Sequence, residues 1–124
     1  MVAMNHLAHV FLAPDTPQAR VGSILGDFRR GLSLQDLPSG VRLGVTHHLA
    51  VDTYTDCHPE VQASRRLFSR QRRRFAGVAL DILYDHYLLA HWQRFSGCDS
   101  DAFIAGVYQE LDAHEYLMPD SMIR

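Results

Sequence analysis

This chain has no lysine, two cysteines and no apolar run approaching the length of a bilayer span. Without lysine, all of the basic charge rests on 12 arginines. Cys57 and Cys98 lack the short paired spacing of a zinc ribbon and are too few for a disulfide scaffold, so they read as unpaired thiols in a reducing cytoplasm. The first fifteen residues lack a basic n-region, which argues against a signal peptide. No nucleophile elbow, phosphate-cradling glycine loop or His-Glu-x-x-His motif occurs, and neither does an internal repeat. A net charge of −2 gives no electrostatic reason to expect nucleic acid or membrane as a partner.

What is present is helical periodicity. No clean alternating pattern marks a strand, so the expected fold is all-α and, at 124 residues, one domain spanning 1–124. The spacing predicts a first helix over about Asn5–Ala13 and a second from Pro17 to about Gly31, with Gly22 and Gly26 four apart for close packing. A third runs from about Gly40 to Asp56 and a fourth from Glu60 to about Arg70, restarted by Pro59. The fifth, over about Arg74–Phe95, is apolar nearly all round and is expected at the centre of a bundle; a sixth covers Asp101–His114.

Ionisable side chains recur on these apolar faces, and burying them unpartnered would cost several kcal/mol each, on the order that forces pairing or a shared cation. His48, Asp52 and Asp56 follow one another at i,i+4, a spacing that suits two-point attachment of a cation and equally a salt-linked His–Asp pair. Asp81 and Asp85 share an apolar stripe with Val78, Leu88 and Trp92, where two carboxylates would repel unless a cation lay between them. Asp85 could instead cap or orient a core histidine. His86 diverges from Asp85 by about 100°, so one of the two at most points squarely inward. Asp27 stands either in a surface ion pair with its neighbouring arginines or inward beside Ile24. Asn5 and His9 are four apart beside Leu12, a spacing shared by hydrogen-bonded core pairs and ligand pairs. The set is one of oxygens and imidazoles without a nearby thiolate, which favours manganese, magnesium or iron over zinc.

Arg65, Arg66, Arg70, Arg72, Arg73 and Arg74 crowd about ten residues of an otherwise mildly acidic chain. They form either a solvated rim or a landing surface for an anionic partner, because guanidinium binds phosphate and carboxylate through paired donors. No aromatic ladder interleaves them, which disfavours single-stranded nucleic acid.

In order along the chain stand Asn5-His6-Leu7-Ala8-His9, the stretch from Ile24 to Gly31, GVTHHLAVDTYTD over 44–56, His58-Pro59-Glu60-Val61, LDILYDH over 80–86 and His91-Trp92. This ordered set resembles the acyl-carrier-protein phosphodiesterases, or holo-acyl-carrier-protein hydrolases. The resemblance implies an HD-like helical bundle that lacks C-terminal helices found in the family, leaving room for self-association. It implies hydrolysis of 4′-phosphopantetheine from the serine of holo-acyl carrier protein in the cytoplasm with a divalent cation, Mn2+ ahead of Mg2+ or Fe2+. On that resemblance Asp27, His48, Asp52, Asp85 and His86 are the candidates for the metal and its water. Asn5, His9, Asp56 and Asp81 are the candidates for supporting or orienting roles. The six arginines would dock the acidic carrier protein. His6 departs from the aromatic residue usual after the first Asn. Rival readings are a metal phosphohydrolase acting on a nucleotide, a carrier-protein-binding module without turnover, and a purely structural helical protein.

Overall fold

The computed structural model describes residues 6–29 and 31–123, all of whose regular elements are helical. Seven α-helices follow in order: α1 (Leu7–Leu12), α2 (Pro17–Leu25), α3 (Ser39–Cys57), α4 (Pro59–Arg66), α5 (Ala76–Ala90), α6 (Ser100–Ala113) and α7 (Asp120–Ile123). None of these helices is long and apolar enough to cross a membrane. The start signals behave as local chemistry requires. The Thr16 hydroxyl accepts the Ala19 N–H at 3.1 Å with Pro17 in the first helical position, and Asp99 accepts the Ala102 N–H at 3.0 Å.

Several boundaries differ from those expected. The second helix stops at Leu25, and a tighter turn over Gly26–Phe28 replaces its last expected turns before Gly31, at φ +82°, reverses the chain. The fourth ends at Arg66, so most of the arginine cluster lies on a turn rather than a helix. The fifth covers only Ala76–Ala90, and Trp92 sits in a separate tight turn.

The centre belongs to α2 and α3, not α5. A Cβ on Gly22 would run into the Val41 carbonyl oxygen, and one on Gly44 into that of Ala19, so the two helices meet backbone to backbone. Val21, Ile24 and Leu25 interlock there with Val41 and Val45, all essentially without solvent contact. Leu7, Val10, Trp92, Val107, Leu111 and Met122 close the core around them. Phe11 and Phe103 pack on Trp92 at ring-centroid distances of 4.9 and 5.3 Å, and the Trp92 indole N–H donates to the Cys98 carbonyl at 2.7 Å. Arg20 ties α2 to α6 through paired bonds to Glu110 at 2.6 and 2.7 Å. The outer face of α5 leaves Val78, Ile82, Leu83 and Tyr87 exposed; its apolar periodicity does not place it at the centre.

Candidate functional site

His48 is the pivot. Its ring is 1 % exposed and packs against Gly26, where a Cβ would come within 2.5 Å of the ring's Cγ. Its Nδ1–H donates to the Ser23 carbonyl at 2.6 Å. Ser23 lies in the last turn of α2, where carbonyls lack helical partners and the helix dipole favours positive charge. That bond turns Nε2 toward two carboxylates: Asp27 Oδ1 at 3.1 Å and Asp52 Oδ2 at 3.3 Å. A nitrogen so placed either carries a proton or shares a cation with those oxygens. Burial opposes charge on His48, but Asp27, Asp52 and the Ser23 carbonyl outweigh it and raise its pKa. Burial likewise pushes the Asp27 carboxyl up, yet His48 and His6 hold it well below the usual carboxylate range.

His9, on α1, stacks on His48 with ring centroids 3.8 Å apart and brings Nε2 to 3.0 Å from Asp52 Oδ1. Burial, then the His48 charge, lowers its pKa and favours the neutral ring. One ligand-capable atom from each of His9, His48 and Asp52 lies within 4.8 Å of the others. Imidazole and carboxylate thus alternate from His6 through Asp27, His48 and Asp52 to His9. The two histidines at the centre are buried, whereas Asp27 and Asp52 retain 44 % and 43 % exposure, so the cluster opens to solvent on its carboxylate side.

Four expected participants stand elsewhere. Asp85 is buried but faces the start of α1, its two oxygens accepting the Leu7 N–H at 3.1 Å and the Ala8 N–H at 2.7 Å. It therefore satisfies orphan helix donors and needs no cation to do so. Burial raises its pKa, and the two backbone bonds oppose that rise. His86 points outward from α5, with its ring beside that of Tyr87 at 5.5 Å, and the structure does not bring it to the cluster. Asp56 is exposed and pairs with Arg65 at 2.8 Å. Asp81 is exposed rather than buried; it lines a pocket of about 210 Å³ with Ala8, His9, Leu12, Val51, Asp52, Thr55, Tyr84 and Asp85. The partial shielding its carboxyl finds at that pocket, followed by the charges of Asp52, Asp27, Asp85 and Asp56, pushes it up to about 6. Asn5 lies outside the described residues. Arg66 is exposed at the end of α4, and Arg70, Arg72, Arg73 and Arg74 are exposed on the turn that follows, with Arg74 over the Phe75 ring at 4.7 Å.

The residues present fit a divalent cation. His9, His48 and Asp52 bring one ligand atom each within reach of one another, Asp27 Oδ1 adjoins them at 3.1 Å from His48 Nε2, and His48 already donates its other ring N–H to a backbone carbonyl, as metal-bound histidines do. His9 joins Asp27, His48 and Asp52 as a candidate ligand, and Asp85 and His86 leave that set. Sequence reasoning missed two contributors. Ser23 acts through its carbonyl, which carries no side-chain signal. His6 could have been noticed from its i,i+3 spacing to His9.

The family model described as acyl carrier protein phosphodiesterase matches residues 4–124. Curated proteins named acyl carrier protein phosphodiesterase are similar to this chain. That of Photorhabdus laumondii is 36 % identical over 118 residues, covering 94 % of this chain and 60 % of the relative. That of Serratia proteamaculans is 41 % identical over 91 residues, covering 73 % and 47 %, and that of Shigella boydii serotype 18 is 40 % identical over 93 residues, covering 75 % and 48 %. The chain thus spans about half to three fifths of the length of these relatives. No solved structure matches it. With a family model covering nearly every residue, the chain belongs to the acyl carrier protein phosphodiesterase family.

Proposed function

We propose that this chain is a metal-dependent phosphodiesterase that releases 4′-phosphopantetheine from the serine of holo-acyl carrier protein, working in the cytoplasm from an HD-like helical scaffold. The observation that carries the reading is His48 Nε2 held between Asp27 and Asp52 in a member of this family. Asp27, His48, Asp52 and His9 would hold the cation, with Mn2+ preferred and Mg2+ or Fe2+ as alternatives. When bound, such an ion supplies Lewis-acid polarisation of a phosphoryl oxygen and makes water more acidic.

The chain's own residues do the rest. The Ser23 carbonyl holds His48 in the tautomer that presents Nε2. Burial lowers the pKa of His9 and favours the neutral ring that can hold a cation, which leaves water to protonate the departing serine oxygen. The pocket beside Asp52 offers Ala8, Leu12 and Val51 to the branched aliphatic end of the arm, with Thr55, Asp81 and Tyr84 within reach of its hydroxyl. The exposed arginine turn supplies the charge that an acidic carrier protein would meet, an attraction that weakens with salt.

Incubating the purified chain with holo-acyl carrier protein and Mn2+, with mass spectrometry of the carrier protein, tests this. The expected result is loss of the prosthetic group by wild type and not by Asp27→Ala. No loss, with intact salt-sensitive binding, would make the chain a binding module. Cleavage of free nucleotides alone would redirect it to another substrate.

A further inference from the structure

His6 lies just outside the cluster and touches it. It stands immediately before α1, its side chain is 6 % exposed, and its Nδ1 is 3.2 Å from Asp27 Oδ2. That is the carboxylate oxygen not used by His48, which bonds Oδ1. Nδ1 is buried and makes no aligned hydrogen bond, so it meets Oδ2 as an ion-pair contact, and the ring lies tilted beside Phe28 at 5.7 Å. The backbone that carries His6 is itself anchored, because the next two amides are held by Asp85.

Asp27 needs such a contact. It sits on the tight turn after α2 with nearly half its side chain in solvent, and His48 alone constrains only one oxygen. A carboxylate pinned at one oxygen can still swing its plane about the Cβ–Cγ bond. A second nitrogen from a different segment of the chain removes that freedom. We propose that His6 is a positioning residue: by engaging the outer oxygen of Asp27 it fixes the carboxylate plane so that the inner oxygen faces His48 and a divalent cation. This rests on the reading that the cluster holds such a cation.

The test is Mn2+ affinity of the whole chain, measured by titration calorimetry without substrate. His6→Phe keeps a ring against Phe28 and removes both nitrogens; His6→Asn restores a polar group near the position of Nδ1. Loss of a contact that orients a metal ligand lowers affinity by about 10- to 100-fold, so His6→Phe should show that loss and His6→Asn should recover part of it. Phe28→Leu disturbs the packing while keeping the nitrogen, and it should stay within about twofold of wild type if the nitrogen is what orients the ligand. Wild-type affinity in His6→Phe, or a loss in Phe28→Leu as large as that expected for His6→Phe, would overturn the proposal for His6 alone. A wild-type chain that binds no Mn2+ would overturn both it and the proposed function. Phe28→Leu keeps the proposal falsifiable if His6→Phe fails to fold, which circular dichroism in chelator would reveal.

Discussion

Replacing Asp85 with alanine separates a structural carboxylate from a metal ligand. Its two oxygens accept the Leu7 and Ala8 amides at 3.1 and 2.7 Å, the first of these bonds buried and the second partly so. Removing the acceptor strands both donors at the start of α1. An orphaned buried donor costs about 1–3 kcal/mol, and because Ala8 is close enough to the surface to find water, the sum should be about 2–4 kcal/mol. Against a typical total of about 5–15 kcal/mol that is a large share. For a chain of this size it should lower the melting temperature by about 10 °C or more. Asp85→Asn keeps one acceptor and should lose about half as much. Thermal melts by far-ultraviolet circular dichroism in EDTA read the effect without any contribution from bound cation. An Asp85→Ala chain that melts within about 2 °C of wild type but no longer binds Mn2+ would refute the reasoning and return Asp85 to the ligand set.

Gly26→Ala should push the His48 ring off its seat, since the new Cβ would lie 2.5 Å from Cγ and 2.6 Å from Cδ2; overpacking of this kind costs about 1–3 kcal/mol, and Mn2+ affinity should fall with it in a titration. Asp81 has its pKa raised from 3.8 to about 6, so the folded chain takes up a proton that the unfolded chain does not, and stability falls as pH rises through that window. Asp81→Asn should therefore melt higher than wild type above pH 6, with the advantage gone near pH 4; an advantage that grows on acidification would contradict the assigned direction. Reversing Arg66, Arg70 and Arg73 to glutamate should weaken binding to holo-acyl carrier protein by about tenfold or more and flatten its salt dependence, measured by calorimetry at two ionic strengths.

The legible parts of this molecule were those set by local spacing. Helical content and the i,i+4 link between His48 and Asp52 could be read from the chain, because one helix supplies both. The inward turn of Asp27 was one of two readings its neighbours allowed. What spacing could not reveal is what faces a side chain from another segment. Asp85 and Asp81 share a stripe in sequence, yet one meets the amides of α1 and the other meets solvent. The apolar circumference of α5 suggested a central helix, but periodicity reports which faces are greasy, not what covers them. Ser23 was illegible for a simpler reason, since every residue carries a carbonyl.

The crossing at Gly22 and Gly44 has a consequence for how this molecule can vary. One arm of that crossing leads to the carboxylate of Asp27 and the other to the imidazole of His48. With main chain resting on main chain, the span between them is dictated by the covalent skeleton rather than by the bulk of any filler group. Exchanging one aliphatic residue for another in α6 or α7 would change how long the fold survives heat while leaving that span as it was. A single methyl placed at either glycine would instead act as a spacer and prise the two reacting ends apart.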